Sequence, residues 1–276
     1  MTVTLKNDSG RAIATLYDGA ELAPMLAPRP FVDVTTPGGI VVTETMPDDH
    51  PHHLGVSVTT PDVDGTNFWG GSTFVAETGP TILDNHGRQV LERQEIVADR
   101  VRQEIAWHDH DDVRILSEER SVEVREANGH TFLSWSSSLA AERDGVSIGS
   151  SQTNGRPGAF YGGIFWRTPF GTADVSSADG AGVDVAHGSR SPWIVIRGVE
   201  ATLVAATASG LEWFLRADGY VGFGPAIAVA GRRMIERGSP LELDLTVVLL
   251  DGAPDDSTVE SALAVALASI PQEAGV

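Results

Sequence analysis

Three imidazoles and two carboxylates fall within six consecutive positions of this chain, in the segment Pro47-Asp48-Asp49-His50-Pro51-His52-His53-Leu54-Gly55. Imidazole has the ordinary pKa nearest neutrality, so a cluster of it suits proton transfer, metal ligation or hydrogen bonding to sugar hydroxyls. A single histidine is usually a surface or structural residue. Three of the chain's eight histidines within four positions weigh against that reading, and a site is sought here first. On an extended chain, residues two apart share a face, which predicts that His50 and His52 project together and His53 points away. Pro51 cannot donate to a ladder, so the cluster is expected at a strand entrance on a rim.

Two further stretches carry usable side chains. Asp62-Val63-Asp64-Gly65-Thr66-Asn67 reads as a loop leading into Phe68-Trp69-Gly70-Gly71, and its nearness to the cluster makes Asp62, Asn67 and Trp69 candidates for ligand contact. Its carboxylates do not follow the spacing of a calcium-binding hand. Phe160-Tyr161-Gly162-Gly163-Ile164-Phe165-Trp166-Arg167 sets four aromatics and two glycines around one arginine. Aromatic faces stack on sugar C–H surfaces, and glycine in a strand lets a ligand approach. Core packing is the alternative for Phe160, Ile164 and Phe165, whereas a buried Arg167 would need a partner. His108 and His110 with Asp109, Asp111 and Asp112 read instead as a solvated hairpin tip.

The elements that must hold these residues are strands. Thr2–Lys6 and Arg11–Tyr17 flank a turn-forming Asn7-Asp8-Ser9-Gly10, and Phe31–Thr35 with Ile40–Thr45 form a second predicted hairpin that delivers the chain to the cluster. Leu54–Thr60 follows as a strand. Long alternating runs at Val90–Val97, Val101–Trp107, Val113–Arg125 and His130–Ala140 end in tight turns, and Asn128-Gly129 suits the positive φ angles of a type I′ turn. Residues 171–188, rich in Gly, Ala and Ser, are expected as a surface excursion. Strands resume at Trp193–Gly198 and close with Leu241–Leu250. One helix is predicted near the C-terminus, with Ser257 and Glu260 as a capping box and Val259, Leu263, Ala266, Leu267 and Ile270 as its stripe. No repeat or composition shift divides the chain. The expectation is one all-β domain over residues 1–276, a large antiparallel β-sandwich with a short C-terminal helix.

Composition narrows the partners. The net charge of −19, from 38 acidic and 19 basic residues, repels nucleic acid and anionic lipid, so neither is expected as a partner. No cysteine is present, which removes disulfides, thiolate metal sites and a cysteine nucleophile. The first ten residues lack a basic head followed by an apolar run, and no apolar run is long enough to span a membrane, so a cytoplasmic location is expected. Nothing in the sequence specifies an oligomeric state.

The His50–Gly55 block, the run Asp62–Trp69 and Gly162-Gly163-Ile164-Phe165-Trp166-Arg167 resemble the bacterial family labelled methane oxygenase PmoA, over nearly the whole chain. A second resemblance is to the β-supersandwich of galactose mutarotase and other aldose epimerases. Asn85-His86-Gly87-Arg88 is similar to the segment bearing an epimerase's first catalytic histidine, and Arg237-Gly238-Ser239-Pro240 before Leu241–Leu250 is similar to its closing turn and last strand. The second epimerase histidine has no counterpart between Asn154 and Tyr161, nor its glutamate between Gly224 and Ala230.

These resemblances imply a small-molecule carbohydrate as partner. The expected enzyme divides acid and base roles among His52, His53 and His86, with Arg167 holding an oxyanion or carboxylate. Tyr161, Trp69 and Trp166 would form a stacking wall, with His50, Asp62 and Asn67 as further substrate contacts. One alternative is a sugar-binding protein without catalysis. Another is a metal-dependent oxygenase, because His50-Pro51-His52 resembles the double histidine of cupins, although Val56-Ser57-Val58 stand where a cupin has its glutamate. No cofactor is expected on the first reading, and a metal at His50 and His52 on the last.

Overall fold

The computed structural model describes residues 2–271. The alternating runs form two large antiparallel sheets. The first has seven strands in the spatial order Thr2–Lys6, Ala12–Tyr17, Phe31–Val34, Val56–Thr59, Gly163–Arg167, Tyr220–Ala226, Glu212–Asp218. The second has nine, in the order Gly180–Ala181, Asp174–Ser177, Trp193–Arg197, Ala201–Ala206, Leu241–Asp251, His130–Ala141, Arg114–Ala127, Arg100–His108, Arg88–Val97. A three-stranded sheet (Arg233–Ile235, Val146–Gly149, Asp62–Val63) and a hairpin (Thr73–Val75, Gly79–Thr81) complete the β structure. The class is all-β and sandwich-like, with one short helix towards the C-terminus. Among the described residues no helix is long and apolar enough to cross a membrane.

Period-two alternation explains the core. Leu133, Trp135, Val122, Leu243 and Val247 of the nine-stranded sheet face Ile164, Trp166, Val221, Phe223 and Trp213 of the seven-stranded sheet in one continuous cluster. Each such side chain contributes about 1.5–3 kcal/mol when fully removed from water. Inside this layer lies a buried ion pair. Arg120 donates through Nε to Glu118 at 2.7 Å, and Glu118 also accepts from Trp107 Nε1 and Ser137 Oγ.

Alternation fails at Ala201–Ala206, where every residue is buried. Such a strand is covered on both faces. The helix Asp256–Ser269 supplies the second cover, setting Val259, Ala262, Val265 and Ala266 against Phe132, Val195, Val204, Val248 and Leu250. Leu263, Leu267 and Ile270 pack at the flank of that contact. The cap differs from the predicted box: Asp255 accepts from Thr258 N at 2.9 Å, and Ser257 donates to the same carboxylate. An ionised carboxylate just before the first turn is the stronger acceptor for the free amides there.

Two other expectations change. Residues 40–45 make only isolated bridges, Thr35 to Val41 and Thr45 to Leu54, because the Thr43 hydroxyl takes the hydrogen bond from Val34 N. The 171–188 excursion is partly ordered into the sheet edge: Val175 pairs with Ile196, and Ala186 on the short helix Val183–Ala186 reaches the core. Asn128 and Gly129 have the positive φ angles expected of their turn, 50° and 78°.

The outer face of the seven-stranded sheet positions the site. Alternate residues there, Phe165, Phe214 and Tyr220, join Trp69 and Phe160 in a separate aromatic cluster.

Candidate functional site

The cluster of histidines sits in the loop that feeds the strand Val56–Thr59. Met46 N donates to His53 O at 2.8 Å and Gly55 N to Glu44 O at 3.1 Å, so the two ends of the loop are zipped together. Between them are two consecutive turns, closed by His50 N to Pro47 O (3.0 Å) and His53 N to His50 O (2.9 Å). This curled backbone overturns the extended reading in which His53 diverges from its neighbours. All three rings meet: His50 stacks on His53 with centroids 4.6 Å apart, and His52 meets His53 edge-on at 4.9 Å. Trp69, Phe165 and Tyr220 surround His53 at 5.5, 5.2 and 5.5 Å.

Those surroundings decide protonation. Burial, with the positive field of Arg29 next, lowers the His52 pKa to about 4. Burial and the neighbouring His52 and His50 push His53 far lower. Both rings are neutral at neutral pH. His53 Nδ1 is buried with no hydrogen-bond partner. His50 is different, for its Nδ1 lies 2.8 Å from Asp49 Oδ2. Burial works against ionisation of Asp49, yet the His50 hydrogen bond and the nearby Arg167 charge hold its carboxyl below the usual range. A neutral His50 that donates Nδ1–H to that carboxylate presents its lone pair on Nε2.

Arg167 stands behind this pair. Its Nη2 is 2.8 Å from Glu44 and 3.3 Å from Asp49, its plane covers the Tyr220 ring at 4.3 Å, and its Nη1 is buried and unpartnered. A guanidinium already shared by two carboxylates orients Asp49 and is not among the groups lining the cleft.

The cleft encloses about 520 Å³, within the range of small-molecule sites. Asp49, His50, His52 and His53 lie on one side; Trp69, Tyr161, Phe214 and Tyr220 give an aromatic wall; Arg156, Arg216 and His187 contribute polar groups. Thus His50, His52, His53, Trp69 and Tyr161 of the candidates meet in one cavity. Tyr161 packs at a tilt against Trp69 with ring centroids 4.3 Å apart, and its hydroxyl is 2.7 Å from Ser151 Oγ.

Four candidates lie elsewhere. Trp166 is fully buried in the inter-sheet core, stacked on Phe223 and donating through Nε1 to Val42 O. It follows Phe165 and precedes Arg167 on a strand, so it must face away from both. Asp62 is bound by Arg232 and accepts from Gly65 N and Asn154 Nδ2, which ties its loop to the three-stranded sheet. Asn67 Oδ1 accepts from Trp69 N (2.8 Å) and Gly70 N (2.9 Å), shaping the loop that presents Trp69. His86 stands behind that loop, its Nε2 donating to Gly71 O at 2.8 Å.

The sequence reading missed Arg29, His187, Arg156, Arg216 and Tyr220. Arg29 is 1% exposed and donates to the carbonyls of Leu26, Ala27, Trp69 and His52 and to Ser57 Oγ. It pins the Trp69 and His52 backbones, two cleft residues from separate segments, to one rigid fork. Burial pushes its own pKa down to about 9. An arginine between Pro28 and Pro30 was the available signal. Nothing local marked His187, whose Nδ1 accepts from Leu215 N at 3.1 Å and whose ring stacks on Phe160.

Gly70 and Gly71 make the close approach possible. A Cβ on either would come within 2.8 Å of His52, and both have positive φ. As for metals, the stacked rings of His50 and His53, 15° from parallel, aim their in-plane lone pairs side by side instead of at a common point. Among the described residues no three His, Cys, Asp or Glu side chains are grouped to hold a metal ion.

Fold and site together define an all-β sandwich protein with a histidine- and arginine-lined, aromatic-walled cleft on the outer face of one sheet. No curated protein matches the chain. The model of a family of unknown function, DUF6807, matches residues 3–264, and the chain belongs to that family.

Proposed function

We propose that this protein binds and transforms a carbohydrate or sugar-derived small molecule in the cleft by histidine acid/base chemistry. The observation that carries this reading is the Asp49–His50 pair at 2.8 Å, set beside two neutral imidazoles in an aromatic-walled cavity. His50 Nε2 takes a proton from a substrate hydroxyl or C–H group, while Asp49, anchored by Arg167, stabilises the imidazolium that forms. A second group must protonate the ring or leaving oxygen. The Tyr220 phenol, which burial keeps protonated despite two nearby arginines, supplies that proton, and the N–H of neutral His52 hydrogen-bonds the same oxygen. Trp69, Tyr161 and Phe214 stack on the C–H face of the sugar.

The two sequence blocks that resemble the PmoA-labelled family, His50–Gly55 and residues 162–167, bring His50, His52, His53 and Phe165 into this one region. The test is NMR of the protein with a panel of monosaccharides and sugar acids, following both binding and conversion. Wild type should bind and convert at least one, and His50→Ala should bind it without turnover. Binding with no change in the bound sugar would select a noncatalytic sugar-binding protein instead. No binding of any sugar would overturn the reading.

A further inference from the structure

A chain with twice as many acidic as basic residues spends two arginines on one small cleft. Arg156 and Arg216 both line it, and neither has a carboxylate partner among the described residues. Arg216 is half of a stacked pair, its guanidinium 4.9 Å from the Tyr220 ring centre and its Nε bound to Asp218 O. Tyr220 in turn lies 5.1 Å from His50, so Arg216 is one ring away from the proposed base.

Arg156 is brought to the same place by His187. That imidazole hydrogen-bonds the backbone of Leu215, next to Arg216, and of Gly158, two residues from Arg156. His187 thus ties together the two backbone segments that carry these arginines. The cleft's single acidic lining residue, Asp49, is already engaged by His50 and Arg167. The local field is cationic within a protein whose overall field is strongly anionic. Surface arginines held only for solubility would be neutralised by the abundant carboxylates; Arg216 is instead stacked on Tyr220 and held by Asp218 O, and Arg156 lines the same cleft without a carboxylate partner among the described residues. Guanidinium is the side chain best shaped for two-point recognition of carboxylate or phosphate.

We propose that the ligand of this cleft carries an anionic group, a carboxylate or a phosphate, received by Arg216 and Arg156 while the sugar ring lies against Trp69 and Tyr161. The substrate class is thereby narrowed to acidic sugars, and this rests on the carbohydrate reading above. One charge-assisted hydrogen-bonded contact is worth roughly tenfold or more in affinity.

The test is titration calorimetry of wild type, Arg216→Gln and Arg156→Gln with glucose, glucuronate, glucose 6-phosphate, inorganic phosphate and citrate, with thermal melts to verify folding. At least one of the two acidic sugars should bind wild type at least about tenfold more tightly than glucose, its identity separating carboxylate from phosphate. Arg216→Gln should abolish that preference and leave glucose affinity unchanged, with Arg156→Gln acting in the same direction. Equal affinity for glucose and both acidic sugars, or a preference that survives both substitutions, overturns the anion assignment while leaving the carbohydrate reading intact. Binding of phosphate or citrate that depends on Arg216, with no sugar bound, sustains the anion site and removes the carbohydrate reading. No binding of any probe overturns both.

Discussion

The loop at residues 46–53 and the hairpin tip at residues 108–112 are assembled from the same two chemistries, imidazole and carboxylate, at similar spacing. At the tip, Asp109 accepts from the amides of Asp111 and Val113, His110 meets Thr66, and His108 lies 3.1 Å from an Asp112 that is largely exposed. Every group is satisfied locally or by solvent. In the loop, two consecutive turns fold the rings onto one another, aromatic side chains exclude water, and a buried arginine holds the backbone from behind. The difference lies in what stands behind the loop, not in its composition. Chemistry needs imidazoles whose protonation is set by the protein, and in the loop burial does this for His52 and His53.

That contrast is open to several measurements. The largest effect should follow Arg29→Leu, which removes the donor to four carbonyls, two of them in buried contacts, and to a buried hydroxyl; a loss of about 3–5 kcal/mol in urea unfolding is expected. A loss under about 1 kcal/mol would show that the fork is dispensable. Next comes acid. An unfolded His52 protonates near pH 6.5 whereas the folded one does so near 4, so the unfolded state binds more protons between those values and stability falls as pH drops through that window. The shift corresponds to roughly 3 kcal/mol, and His53 acts in the same direction. Melting temperature measured from pH 7 to pH 4 should decline less steeply in His52→Gln. Gly71→Ala forces a side chain into a left-handed backbone against His52 and should cost about 1–3 kcal/mol, read by thermal melts. Asp49→Asn leaves Arg167 its Glu44 partner, so stability should fall by about 1 kcal/mol or less, while turnover of any substrate found should drop by about 10²-fold or more. His110→Ala should change stability by less than about 0.5 kcal/mol. A larger loss would mean the tip is more than a solvated turn.

The strands and the site's general place were legible because both are local signals. Alternation set the strand positions, and three histidines in four residues marked the loop. The wall could have been read better from the same rule: Phe165, Trp166 and Arg167 are consecutive on a strand, so Trp166 had to oppose its neighbours. The direction of His53 was not legible, because the two turns of residues 47–53 depend on how Met46 and His53 close the hairpin. Nor were Arg29 and His187, which meet residues distant in sequence: Arg29 reaches His52 and Trp69, and His187 and Leu215 stand on different elements and meet only in the folded sheet edge. Asp62 and Asn67 are engaged in hydrogen bonds that build their own loop, an arrangement that depends on partners such as Arg232 that the local sequence does not indicate.

The helix Asp256–Ser269 has a consequence for how the protein is made. Phe132, Val195, Val204, Val248 and Leu250 form an apolar strip on the outside of the large sheet, and the helix that covers them follows all of the strands in the chain. On a ribosome those strands emerge before their cover. For the seconds in which residues 251–270 are still being synthesised, the nascent sheet displays a greasy stripe to its surroundings, the kind of surface that chaperones engage and that aggregates recruit. The helix Asp256–Ser269 is therefore the step that closes this strip off from water.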